Sequence, residues 1–289
     1  MTPFELVEPG SLREAAALLD TGEPSVRPMA GGTALMLMMK MGVLRPTRLV
    51  SLRAVERRCF EIAEGPEGLY VGAMTSLSAL GRSPLVAREA PVITGALRTL
   101  SNVRVRNVAT LGGHLAHADP HMDLPPVLIA LGARVTIADA KGGRTIPVED
   151  LYAGYLQTTL RQGELIAEVT VPRQGARRAS YLKCTARSAD DWPALGIAVS
   201  LATDDGFVRD TRIVIGAATD TPMRLAAAEN ALKDVRVDDA VLGRAGEAAA
   251  AEANVVGDAH GSAAYKRELV RVYVARAVRA ALTPVTSDR

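Results

Sequence analysis

The sequence predicts an α+β fold in two domains, on three observations. In its first half, apolar runs of strand length alternate with stretches of helical periodicity. Past the polar, basic stretch at Pro172 to Arg178 the pattern becomes three consecutive strand-like runs, Ser180 to Arg187, Leu195 to Thr203 and Phe207 to Ala217. The last two are joined at Asp204-Asp205-Gly206, as in an antiparallel meander. Three helical segments then close the chain, the last from about Ala264 to Leu282 with Arg267, Arg271 and Arg279 as its polar stripe. A length of 289 residues fits two domains of roughly 100–200 residues each. The predicted division is 1–173, with subdomains 1–53 and 54–173, and 174–289.

Each element has a local reason. Ser11-Leu12-Arg13-Glu14 has the spacing of a capping box and opens an alanine-rich helix to about Asp20. Val26 to Met29 is a strand leading into Ala30-Gly31-Gly32-Thr33, and a helix follows from Leu35 to Met41, with Gly42 as its stop. Met36, Met38, Met39 and Met41 on that helix read as core filler. Arg48 to Leu52 and Leu69 to Ala73 are strands, Thr75 is placed to cap a short helix, and Ser83 to Leu100 is helical with a break at Pro91. A helix to about Ala130 follows Pro125-Pro126. Arg134 to Asp139 and Leu165 to Val171 are strands, with Gly142-Gly143 a hairpin turn.

Composition excludes several functions. Charged residues make up 23% of the chain with a formal net charge of +2, and aromatics only 3%, a poor basis for binding nucleic acid. No apolar run approaches the ~18 residues of a membrane span, and Met1 to Glu5 lacks the features of a secretory signal, so the expected location is the cytoplasm. Cys59 and Cys184 stand in no metal-spaced motif, and an iron–sulfur cluster usually takes four thiolates, so this chain holds none alone.

The chemistry-bearing residues concentrate in two places. Ala30-Gly31-Gly32-Thr33-Ala34 and Thr110-Leu111-Gly112-Gly113-His114 each put adjacent glycines beside a threonine, where bare backbone N–H groups can cradle an anion. The spacing is not G-x-G-x-x-G, which disfavours a Rossmann site. Beyond the second pair, His114, His117 and His121 with Asp119 and Asp123 offer five potential metal ligands, although the glycines and Pro120 argue against one continuous helix.

The run Ala30 to Ala34 with Leu35 and Lys40, then Ala109-Thr110-Leu111-Gly112-Gly113-His114-Leu115-Ala116-His117-Ala118-Asp119-Pro120 and Asp123-Leu124-Pro125-Pro126, resembles the FAD-binding medium subunit of molybdenum hydroxylases, the family of carbon monoxide and xanthine dehydrogenases. The likeness runs from Phe4 to the C-terminal helices. It implies a two-subdomain FAD-binding domain of the vanillyl-alcohol-oxidase (PCMH) type, followed by a domain with a three-stranded antiparallel sheet and a helical bundle.

By the same resemblance, Ala30, Gly31, Gly32, Thr33, Ala34, Thr110, Leu111, Gly112, Gly113 and His114 would hold the FAD pyrophosphate. Asp123 would accept from ribose or ribityl hydroxyls, Leu165 would lie at the adenine or flavin edge, and Lys183 and Trp192 would stand beside the isoalloxazine. His114 stands where relatives carry asparagine or serine, and Ala34 where a polar residue is usual. The implied partners are a small subunit with [2Fe-2S] clusters and a large molybdopterin subunit, in a dimer of heterotrimers. Electrons would pass from the clusters to FAD and on to an external acceptor, with no catalytic acid or base and no metal in this chain. The rivals are an assembly subunit without flavin and a metallohydrolase using His114, His117 and Asp119.

Overall fold

The computed structural model describes residues 2–283. In chain order its first elements are β1 (Glu5–Val7), α1 (Leu12–Leu19), β2 (Val26–Met29), α2 (Thr33–Lys40), β3 (Arg48–Ser51), β4 (Ile62–Gly65), β5 (Gly68–Gly72), α3 (Leu77–Arg82), α4 (Pro84–Glu89), α5 (Pro91–Thr99), α6 (Val103–Val108), α7 (Leu111–His117) and α8 (Leu124–Ala130). Then follow β6 (Arg134–Ala138), β7 (Arg144–Pro147), β8 (Tyr152–Gly154), β9 (Gln157–Thr158), β10 (Leu165–Pro172), β11 (Arg178–Cys184), β12 (Leu195–Asp204), β13 (Phe207–Gly216), β14 (Met223–Arg224), α9 (Ala226–Leu232), α10 (Asp239–Glu252) and α11 (Ala263–Leu282). Among the described residues no helix is long and apolar enough to cross a membrane.

The chain divides into two compact units. Of the described residues, the first takes those up to Glu89, Ser101–Ala118 and Ala133–Arg173; the second takes Ala90–Leu100, Asp119–Gly132 and those from Gln174 to Thr283. Two segments embedded early in the sequence, which carry α5 and α8, therefore belong with the C-terminal sheet.

The first unit holds two sheets. A parallel sheet in the order β1-β3-β2 pairs Glu5 and Val26 with Arg48. An antiparallel sheet in the order β4-β5-β10-β6-β7 has β10 at its centre. Leu12, Ala15 and Leu19 of α1 form a core with Val26, Val50, Met74 and Leu165. Ser11 caps α1 by accepting from Glu14 N–H at 3.1 Å, while the Glu14 carboxylate reaches back to Gly10 N–H at 2.9 Å, one residue before the box expected.

The second unit is built on an antiparallel sheet, β11-β12-β13-β14. The meander holds, and the two residues of β14 add a fourth strand to the three expected. From Leu195 to Leu201 β12 is buried at every position, because α11 packs against it on one side and α8 on the other. A strand covered on both faces reads as an unbroken apolar run rather than an alternating one.

Three local expectations are corrected. Ser76, not Thr75, caps α3, accepting from Ala79 N–H at 3.1 Å. The chain is helical straight through Gly112 and Gly113, but the helix ends at His117, where Ala118 takes a left-handed φ of 53°, so His121 lies off it and no continuous helix carries the three histidines. Only Met39 of α2 is buried; Met41 is 69% exposed, as is Leu37 at 58%, so the methionine run is not uniformly core.

Candidate functional site

In the first unit, β2 runs beside β3 to Met29, opposite Ser51, and the chain then turns at Ala30-Gly31-Gly32 into α2. A Cβ on Gly31 would stand 2.1 Å from Val108 O and 2.8 Å from its carbonyl carbon, closer than atoms pack, so only glycine passes there. Gly32, at φ 72°, is the N-cap of α2 and brings no side chain to cap it. The first bond back to the cap is Met36 N–H to Gly32 O at 2.9 Å. The N–H groups of Thr33, Ala34 and Leu35 thus leave the helix end without an acceptor among the described residues. Such a terminus carries partial positive charge and donors aimed at one point. The sequence around it supports the sign: residues 24–55 contain no Asp or Glu but include Arg27, Lys40 and Arg45, which form no ion pair among the described residues.

The second glycine turn is built differently. Thr110 caps α7 by accepting from Gly113 N–H at 3.1 Å, and Leu111 and Gly112 donate to Thr75 O at 2.9 Å and Ala73 O at 2.7 Å. Its N–H groups are therefore committed to the protein, and its glycines serve close packing. A Cβ on Gly112 would lie 2.7 Å from Ala73 Cβ, and one on Gly113 would lie 3.4 Å from Ala30 Cβ. The two glycine turns, remote in sequence, adjoin in this unit. Since Thr110 Oγ1 accepts from Gly113, its hydroxyl hydrogen stays available to a ligand. His114 is buried on α7, and Leu165 is committed to the α1 core.

In the second unit Asp123, just ahead of α8, is 4% exposed. Tyr181 of β11 donates its hydroxyl to Asp123 Oδ1 at 2.5 Å, and Lys183, two residues along the same face, donates to Oδ2 at 3.1 Å and to Thr99 O at 2.8 Å. Burial raises the Asp123 pKa, against the opposing pull of Lys183 and Tyr181. A carboxylate offers about four acceptor positions, so both oxygens keep capacity for a further donor. Gly196, opposite Lys183 on β12, makes room for this pair: a Cβ there would stand 2.6 Å from the Tyr181 hydroxyl.

Trp192 is 49% exposed and lies on His121, with centroids 5.2 Å apart and planes 11° from parallel. Sequence reasoning missed Tyr181, Gly196 and the partners of His121. Among the described residues no three His, Cys, Asp or Glu side chains are grouped to hold a metal ion, which leaves the metallohydrolase reading without a donor set.

Comparison with known proteins covers almost the whole chain. A family profile described as the FAD binding domain in molybdopterin dehydrogenase matches residues 2–174, and one described as the CO dehydrogenase flavoprotein C-terminal domain matches residues 180–281. The nicotine 6-hydroxylase medium subunit of Paenarthrobacter nicotinovorans is 32% identical over 93% of this chain and 94% of its own length. The glyceraldehyde dehydrogenase medium chain of Sulfolobus acidocaldarius is 28% identical over 96% of this chain and 97% of its own. A solved structure of carbon monoxide dehydrogenase from Hydrogenophaga pseudoflava superposes with a TM-score of 0.93 at 32% identity, covering 98% of this chain and 99% of that one.

Proposed function

We propose that the chain, which belongs to the FAD-binding medium subunits of the molybdenum hydroxylase family, takes electrons from [2Fe-2S] clusters on a small partner subunit and passes them to an external acceptor. It is an oxidoreductase subunit with an FAD-binding domain. The observation that carries the reading is the first turn of α2: three N–H groups without an acceptor among the described residues, behind a glycine pair, in a stretch free of acidic residues. That donor set fits a pyrophosphate.

When bound, FAD exchanges electrons singly or in pairs. What the chain supplies is position and polarity. Behind Gly31 and Gly32, Thr33, Ala34 and Leu35 hold the pyrophosphate through backbone N–H groups, and the Thr110 hydroxyl adds a donor. Gly112 and Gly113 keep the neighbouring turn close, with His114 packed behind it. Asp123 accepts from sugar or ribityl hydroxyls, held in place by Tyr181 and Lys183, and Trp192 offers an indole face to the isoalloxazine. Partner subunits are supported by relatives that are themselves medium chains or subunits. We extend this to a small cluster-binding and a large molybdopterin subunit, in a cytoplasmic dimer of heterotrimers. The two free cysteines suit a reducing compartment.

The test is flavin content. Purified with its partners, the chain should carry one FAD, and Gly113→Val should lose most of it, because the branched side chain would press on Ala30 and the turn it supports. A colourless complex would turn the reading to an assembly subunit without flavin. Full FAD in the valine variant would remove that turn from the site.

A further inference from the structure

His121 takes no part in the contacts assigned to FAD. It is 9% exposed, and both ring nitrogens face carboxylates: Nδ1 is 2.9 Å from Asp119 Oδ1, and Nε2 is 2.8 Å from Asp258 Oδ2. A neutral imidazole has one N–H and one lone pair and satisfies only one of two acceptors. The double contact therefore calls for the imidazolium.

The charged and titratable groups facing it come from every side of the cluster. Asp119 lies on its own loop, Asp258 and His260 on the segment before α11, and Lys266 on α11 itself. Lys266, fully buried, donates to Asp258 Oδ2 at 2.6 Å and to Ala217 O at 2.7 Å. Burial works to lower the His121 pKa, but the bonds to Asp119 and Asp258 outweigh it and hold it above the ordinary 6.5. On this ring lies the indole of Trp192, and His260 leans on both, 5.0 Å from His121 and 6.2 Å from Trp192. With one face on His121, Trp192 is still about half exposed.

We infer that His121 is a positioning residue: its imidazolium, clamped by Asp119 and Asp258, stacks on one face of Trp192 and presents the other face to an aromatic ligand ring. The inference rests on the flavin reading above, with the isoalloxazine as that ring. The geometry favours it because a planar cation beneath an indole is held both by area and by the quadrupole of the ring. Without it, a half-exposed side chain on the loop joining β11 to β12 is free to leave the position.

Trp192 is the chain's single tryptophan, so indole emission from the full chain, excited beyond the tyrosine absorption, reports on it alone. Imidazolium quenches indole emission far more than neutral imidazole does. Before FAD is added, emission should rise at least twofold as pH increases through a midpoint above 6.5, and His260→Gln should keep that transition. His121→Gln should abolish it and give acrylamide several times more access to the indole. His121→Arg, whose planar guanidinium bridges carboxylates and stacks on aromatic faces, should restore the protection.

Emission indifferent to pH in the unmodified chain, or unchanged in the glutamine variant, overturns the inference whatever FAD does. The pH titration serves on its own if the glutamine variant does not fold. FAD titrations then separate the two readings: His121→Gln should weaken binding three- to tenfold, and His121→Arg should recover it. If the emission results hold but Trp192→Ala binds FAD with unchanged affinity and spectrum, the stack stands and its flavin role is overturned, while the pyrophosphate reading is untouched.

Discussion

At the scale of single residues, space decides more than chemistry. Gly31 and Gly113 belong to the same pair of turns, yet an added Cβ meets a backbone carbonyl at 2.1 Å in one and a hydroxyl at 3.0 Å in the other. Gly31→Ala must move the main chain, so the expected cost is about 1–3 kcal/mol of overpacking and a loss of FAD binding of at least tenfold. Gly113→Ala needs only a small adjustment of Thr110 and should keep both within about 0.5 kcal/mol, where alanine's helical propensity offsets the crowding. Thermal unfolding and FAD titration of the two variants check this, and equal effects would mean that the first turn is not the tight one. A second residue-scale expectation concerns the thiols. Burial, reinforced by Glu56, pushes the Cys59 thiol up to about 11, and the side chain is 2% exposed. Iodoacetamide near pH 8 should therefore leave Cys59 unmodified in the native protein and reach it only after unfolding.

At the scale of elements, helices are anchored by side chains far apart in sequence. Lys266 fixes the start of α11 to Asp258 and to the Ala217 carbonyl. Lys266 and His121 hold the Asp258 carboxyl down to about 2 against the opposing effect of burial. A carboxyl whose folded pKa lies below its unfolded value stabilises above the unfolded value and loses that stability as pH falls through the folded one. For Asp258 that window runs from about 4 down to about 2. The raised His121 pKa works in the other direction: its contribution is complete below 6.5 and is lost as pH rises through the folded value. Asp258→Ala leaves the Lys266 ammonium buried and unpaired, so it should cost about 3 kcal/mol near neutral pH. It should also flatten the pH dependence at both ends. Urea unfolding across pH measures both, and an unaltered pH profile would remove Asp258 from the network. The pairing of His121 with Asp258 was not legible in the sequence, because residues 137 positions apart leave no local pattern. What was legible is what local physics dictates: the glycine turn ahead of α2, the break at Pro91, and the long strands β12 and β13. The helix through Gly112 and Gly113 was not, because those residues disfavour helix locally and its first turn is held by bonds from Leu111 to Thr75 O, from Gly112 to Ala73 O and from Gly113 to Thr110 Oγ1. Ser76 and Thr75 carry the same capping chemistry, and only the tertiary contacts choose between them.

At the scale of the whole molecule, the residues proposed for FAD are distributed over both units: Gly31 to Ala34 and Thr110 in the first, Asp123, Lys183 and Trp192 in the second. A ligand that binds only the folded state stabilises it by mass action, about 2.7 kcal/mol at a free concentration 100 times its Kd. Where in the chain that stabilisation is felt separates two cases. If FAD contacts residues of both units, hydrogen exchange should slow at the start of α2 and also along β11 and the segment carrying Trp192. Tyr181→Phe, which leaves Asp123 Oδ1 without its donor in a site 4% exposed, should cost about 1–3 kcal/mol and weaken FAD binding while leaving exchange at α2 unchanged without ligand. Protection confined to the first unit would keep the pyrophosphate on α2 and take Asp123, Lys183 and Trp192 out of the FAD contacts. The buried Asp123–Tyr181–Lys183 group would then be a structural feature of the second unit alone.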